Sequence, residues 1–223
     1  MSKAFWAAIV AVIVIFGGIL LFKGDNANAP SSSTAKPTNH VLGKGTDKVT
    51  LVEYGDYQCP YCGQYYPVVK QVQQNYGDRI TYQFRNLPLL QIHQNAFAAA
   101  RAAEAADLQG KFWEMHELLY TNQDAWSNSS NARSVFEGYA KKLGLNVDKF
   151  KTDFASSAVN DRINADVVAF DKTKLEKSTP TFILDGKLIK PTSVEEFNKA
   201  IDEAIAAKKK ASDSSDTSTT SNN

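Results

Sequence analysis

Two cysteines are the whole thiol complement of this 223-residue chain, and they stand as Cys59-Pro60-Tyr61-Cys62. A pair so close cannot staple distant segments, and two cysteines are too few for a disulfide scaffold, so their job is chemical. At the start of a helix such a pair closes a disulfide within one turn. The unpaired N–H groups and positive dipole end of the helix there favour a thiolate at the first sulfur. Each pH unit of added thiol acidity is worth about 1.4 kcal/mol toward the reduced, ionised state, which makes the disulfide a stronger oxidant. Cys59 is therefore expected to be the exposed, attacking sulfur, and Cys62 the more buried one that resolves a mixed disulfide. Two other readings compete. Half of a zinc site is one, but the chain has no second Cys-x-x-Cys, and His40, His93 and His116 are widely spaced. A purely structural disulfide is the other, and closing so short a loop removes little entropy from the unfolded chain. Redox chemistry is favoured over both, with the Cys59-Cys62 disulfide as the redox group and no metal or further cofactor expected.

The elements that must hold these sulfurs can be read around them. Val49 to Tyr54 is a nearly continuous apolar and β-branched run, the pattern of a central strand covered on both faces, with Glu53 conspicuous inside it. After a short loop, Tyr65, Val68, Val69, Val72 and Tyr76 recur at helical spacing until Gly77, so the cysteines open a helix that Pro67 should kink. Arg79 to Arg85 alternates as a strand with one buried face. A helical block follows over about 92–177, with segments at Asn95 to Leu108, Lys111 to Thr121, Ala132 to Leu143, Val147 to Ala155 and Val159 to Leu175. Thr181 to Leu184 and Lys187 to Ile189 flank Asp185-Gly186, a dipeptide suited to a type I′ hairpin turn. A last helix starts at Val194 with Phe197, Ile201 and Ile205 on one face.

With that order in place, Tyr54-Gly55-Asp56-Tyr57-Gln58-Cys59-Pro60-Tyr61-Cys62 resembles the active-site segment of DsbA-like thiol-disulfide oxidoreductases. The resemblance extends over roughly Val41 to Ala207, through Phe112-Trp113-Glu114-Met115-His116 and Ser178-Thr179-Pro180-Thr181-Phe182. It implies an α/β thioredoxin fold interrupted by a helical insert. It also implies a cis proline at Pro180 facing the cysteines, where spacing alone leaves a trans turn proline open. Thr179 would then offer its backbone to an extended substrate. Glu53 matches the position of the buried acid that exchanges a proton with the inner thiol in thioredoxin-fold oxidoreductases; the alternative is a strand-end glutamate reaching solvent or a lysine. Pro67 resembles the kinking proline of the active-site helix. Tyr61 departs from the family's strongly oxidising Gram-negative members, which carry histidine there, and a Pro-Tyr pair also occurs in glutaredoxins.

The ends of the chain suggest where this chemistry takes place. Ala4 to Phe22 has no charged residue and is long enough as a helix to cross a bilayer core of roughly 30 Å, so residues 1–23 read as a transmembrane anchor. A cleaved signal peptide is the competitor, with Ala27-Asn28-Ala29 as cleavage site, but the apolar run is too long and Pro30 would directly follow the cut. Residues 24–38 read as a flexible linker, 39–207 as the catalytic domain and 208–223 as a disordered polar tail. The expected location is the cell membrane, single-pass, with the domain outside the cytoplasm. A formal net charge of +1 argues against nucleic acid as partner. The three histidines are read as non-catalytic, His40 ahead of the core and His93 and His116 as solvent-facing or capping. The aromatics Phe112, Trp113, Tyr120 and Trp126 are read as core of the insert. The substrates expected are exported proteins, reduced or misoxidised, and the resemblance implies reoxidation by a quinone-linked membrane partner of the DsbB or VKOR-like type. A reductase or isomerase, or a non-redox chaperone or binding module, are the alternatives.

Overall fold

The structure is a computed structural model that describes residues 35–218, with side chains to Asp213. The predicted span at residues 4–22 and most of the linker lie outside the described residues. Among those described, no helix is long and apolar enough to cross a membrane.

Five strands form one mixed sheet in the order β1-β3-β2-β4-β5. They are β1 (His40–Leu42), β2 (Val49–Gly55), β3 (Ile80–Asn86), β4 (Thr181–Leu184) and β5 (Lys187–Ile189). Only β2 and β3 are parallel, joined by the crossover helix α1 (Pro60–Tyr76); the remaining neighbours are antiparallel. The central position of β2 explains its apolar sequence, because helices cover both faces and leave Val49 and Leu51 with no exposure. Its register sets Glu53 between Phe84 of β3 and Phe182 of β4. The end of β2 opens into the loop that carries Cys59, and this is how the sheet places the cysteine pair just beyond the end of its central strand.

Six helices form the insert between β3 and β4: α2 (Ala96–Asp107), α3 (Phe112–Thr121), α4 (Gln123–Trp126), α5 (Ala132–Lys142), α6 (Val147–Ala155) and α7 (Ser157–Asp171). Alanine is the best helix former, and its small side chain lets neighbours pack on every side. Seven alanines of α2 are accordingly buried while α3, α5, α6 and α7 all pack on it. Phe112, Tyr120 and Trp126 are buried in the core as expected. The hairpin falls where its turn dipeptide placed it, with Asp185 at φ 47° and Gly186 at φ 81°.

Five expectations need correction. His40 does not precede the core: it lies on the unanticipated strand β1, too short for a period to show, where its ring stacks on Phe112. Nor is the linker free to residue 38, because Thr38 is buried and both its N–H and its hydroxyl donate to Asp166 at 2.7 Å. The last helix, α8 (Val194–Ser218), runs past Ala207 into the supposed tail, since the alanine and lysine run there carries strong helix formers whose side chains need no burial. His116 is not solvent-facing but buried among Tyr57, Phe84, Phe112, Trp113 and Tyr120, and burial pushes its imidazole down to about 3, so it is neutral. His93 likewise faces inward, bonded to the active-site loop.

Candidate active site

Helix α1 begins at Pro60, whose missing N–H costs nothing at a first-turn position, and Cys59 is its N-cap in extended conformation. Pro67 lies inside the helix, as anticipated. This places Cys59 at the mouth of the helix and Cys62 one turn down. Both are free thiols. Cys62 is wholly buried, and Cys59, expected to be exposed, keeps only 4% of its surface.

The peptide bond Thr179–Pro180 is cis, and the Cys59 thiol donates to the Thr179 carbonyl at 3.3 Å. Residues far apart in sequence therefore meet as the resemblance implied. Beside them opens a groove of about 350 Å³, lined by Tyr61, Tyr65, Leu175, Phe182 and Leu188 with Pro180 at its wall. Tyr61 is 64% exposed there and brings no charge to the sulfurs.

The two thiols differ sharply in acidity. The neighbouring Cys62 thiol, chiefly, holds Cys59 down to about 6; burial opposes this, while the Thr179 side chain and the N–H groups of Cys62 and Tyr61 add to it. The helix N-terminus, to which sequence reasoning assigned the acidity, is thus a contributor behind the partner thiol. Burial pushes Cys62 well above its usual range, and the Cys59 and Glu53 charges push the same way.

Glu53 lies beneath, 3% exposed, and does not reach solvent or a lysine. Burial raises its carboxyl from an ordinary 4.5 to about 7, against a bond from the Tyr82 hydroxyl at 2.6 Å. A carboxyl with such a pKa can hold or release a proton near neutrality.

Several positioning residues gave no signal on their own. The Gln123 side-chain amide, from α4, donates to the carbonyls of Tyr57 at 2.7 Å and Cys59 at 2.9 Å, tying the insert to the redox loop. Its Oε1 would stand 2.8 Å from a Cβ at position 63, so glycine there admits the clamp. Asp56 accepts from the N–H groups of Gln58 and Leu89 and bonds His93 Nδ1 at 2.7 Å. Gln58 bridges from that loop to Asn95 N–H and the Ser127 carbonyl. Asp56 and Gln58 were visible in the active-site segment, but only as part of a pattern; nothing in the sequence pairs Gln123 with it.

A second ionisable cluster lies away from the sulfurs. His40 Nε2 is 2.7 Å from Glu104 and Nδ1 is 3.5 Å from Asp107, and Arg162 makes ionic contacts with both carboxylates. His40, Glu104 and Asp107 are the one group among the described residues that could ligate a metal, yet Arg162 already pairs with both acids.

Comparison with known proteins agrees with this arrangement. The family model described as Thioredoxin matches residues 35–203. The thioredoxin-like oxidoreductase of Silicibacter pomeroyi DSS-3 superposes with TM-score 0.63 at 26% identity, covering 76% of this chain and 93% of that one. Wolbachia pipientis alpha-DsbA1 superposes with TM-score 0.65 at 20% identity over 78% of this chain and 94% of its own, a likeness of fold. Among curated proteins, "Na(+)/H(+) antiporter NhaA 3" of Salinispora tropica is 39% identical over 170 residues, 76% of this chain. The match spans only 25% of that antiporter, a stretch of domain size. The cysteine pair, the proline facing it and the helical insert between β3 and β4 thus coincide with the family match, and the chain belongs to the thioredoxin family, with the fold of the DsbA-like thiol-disulfide oxidoreductases.

Proposed function

We propose that the chain is a protein thiol-disulfide oxidoreductase that donates its Cys59-Cys62 disulfide to exported proteins. The observation that carries this reading is the placement of two adjacent thiols beside the cis Thr179–Pro180 bond, Cys59 at the mouth of α1 against the Thr179 carbonyl and Cys62 wholly buried one turn down. A substrate thiolate attacks Cys59 Sγ of the disulfide, a substrate–Cys59 bond forms, and Cys62 leaves with the electron pair. Glu53 supplies the proton that the buried Cys62 thiolate requires. A second substrate thiolate then attacks the substrate sulfur of the mixed disulfide. Cys59 departs as a thiolate, stable at neutral pH, and the substrate leaves with a new disulfide. Both electrons end on the Cys59-Cys62 pair. The Thr179 carbonyl is released once Cys59 ionises and accepts from a substrate N–H, while the groove past Tyr61 takes a flanking apolar side chain.

We further propose that residues 4–22 tether the domain to the cell membrane on its extracytoplasmic side, where a quinone-linked partner of the DsbB or VKOR-like type reoxidises it. An oxidising compartment favours this direction, because disulfide donation needs only an electron acceptor. The uncharged Tyr61 favours a milder poise, and a reductase or isomerase is the second reading. Equilibration with glutathione separates them: a potential near those of strong oxidants supports donation, and one near that of thioredoxin, about −270 mV, supports reduction. Reduced, unfolded substrate mixed with oxidised protein should gain native disulfides, and Cys59→Ser should stop this. Native disulfides formed at the wild-type rate by Cys59→Ser would leave only the binding-module reading.

A further inference from the structure

We propose that Tyr82 is the positioning residue of the proton step: its phenol, rather than any cation, holds Glu53 in place and sets the pH at which Cys62 is protonated and deprotonated. The inference rests on the reading of Glu53 as the proton carrier for Cys62.

Register and burial bring the pair together. Tyr82 and Phe84 lie on the same face of β3, two residues apart, and Phe84 is the register partner of Glu53 in the parallel β2–β3 pair. The phenol therefore meets the carboxylate by a diagonal reach across the ladder. Its hydroxyl donates to Glu53 Oε2 at 2.6 Å, the short distance of a charge-assisted O–H···O bond, and the Tyr82 side chain is 2% exposed. The charged and titratable groups acting on or with Glu53 come from four other elements: Tyr82 from β3, Cys62 from α1, Tyr57 from the loop before it and Tyr120 from α3. The β4 side presents Phe182, which does not titrate. None of these groups is a cation, and no ion pair to Glu53 occurs among the described residues.

The chemistry follows from that composition. An ammonium or guanidinium beside a buried carboxylate would hold it ionised through neutrality, leaving no proton to give. A single neutral donor offsets only part of the cost of burial, so Glu53 changes state near pH 7. The bond also occupies one carboxylate oxygen, leaving the other to carry the proton exchanged with Cys62. In the direction that releases substrate through Cys62, Glu53 takes the thiol proton, the Cys62 thiolate attacks Cys59 Sγ of the mixed disulfide, and the departing thiolate takes the electron pair.

The test uses the full chain loaded as a mixed disulfide between Cys59 and glutathione, with glutathione release by Cys62 followed across pH. Wild type should show a rising limb centred near pH 7 that Glu53→Gln removes. Tyr82→Phe should move that limb upward by about one pH unit, a tenfold change in proton affinity. It should leave the Cys59 thiolate absorbance titration where it was, which a general loosening of the site would not. Incorporating 3-fluorotyrosine at position 82 keeps the shape and strengthens the donor, so the limb should move down; this replacement also serves if Tyr82→Phe does not fold. If Glu53→Gln removes the limb while neither Tyr82 replacement moves it, the assignment of Tyr82 is overturned and the role of Glu53 stands. If Glu53→Gln leaves the limb in place, the role of Glu53 is overturned and the assignment of Tyr82 falls with it.

Discussion

Two groups of buried ionisable side chains hold this domain together on opposite principles. At the end of the sheet where β1 is added, Glu104 has no exposure, yet His40 Nε2 meets it at 2.7 Å, the Asn86 amide donates to it at 2.8 Å and Arg162 contacts its second oxygen. Asp166 accepts from Thr38 and Asn86 in the same manner. Beneath the sulfurs, Glu53 is just as deep but has one neutral partner. The difference teaches what burial of a charge is for. Where every charge meets an opposite charge or an aligned donor, the cluster fixes β1, the chain ahead of it and α7 on one another. Where a carboxylate is left nearly alone, its proton becomes loose at neutral pH, and the site can use it.

The strongest blow to this contrast is Glu104→Ala, which would leave the buried His40 and half-buried Arg162 to share the single carboxylate of Asp107. It should cost about 3–5 kcal/mol in urea denaturation, the penalty for removing one partner of a buried pair. Glu53→Gln should cost far less or even stabilise above neutrality, because it removes a charge that burial disfavours. If Glu53→Gln proves the more damaging of the two, the two clusters do not differ as described.

The next test is the pH dependence of stability in the reduced protein. Glu53 binds its proton more tightly folded than unfolded, so its contribution is fully present below about 4.5 and is lost as pH rises through about 7. His40 moves in the same sense in a higher window. Burial alone would push it down, but its bonds to Asp107 and Glu104 overcome this and raise it from 6.5 to about 9, so its contribution is present below 6.5 and lost through about 9. Each window should carry on the order of 3 kcal/mol. Glu53→Gln should flatten only the lower window and His40→Gln only the upper, and one broad window abolished by either substitution would merge the two clusters into one.

A smaller effect sharpens the active-site half. Gln123→Ala removes two donors from the carbonyls of Tyr57 and Cys59. It should cost about 1–3 kcal/mol and slow thiol-disulfide exchange several-fold, while the Cys59 thiolate still titrates near 6. A shift of that titration would mean the insert tunes the sulfur rather than holding its loop.

The order strand, helix, strand, helical insert, hairpin, helix was legible, and the hairpin was legible to the residue, because Asp185-Gly186 is a local backbone requirement. Strand β1 was not, since three residues pairing with β3 leave no pattern until that partner exists. His40 and His116 looked alike as letters, and their fates diverged through packing: two carboxylates stand beside one, and six aromatic rings surround the other.

Taken alone, the sequence determined the type of chemistry, because two thiols three residues apart at a helix start form a redox pair by local geometry. It also marked Glu53, Thr179 and Pro180, through the resemblance of the segments that carry them. Only the tertiary structure decided what stands against each of these groups: Thr179 against Cys59, Gln123 against the loop carbonyls and Tyr82 against Glu53. The acidity of a buried group depends on the few atoms within hydrogen-bond reach, and here those atoms come from strands and helices far apart in the chain.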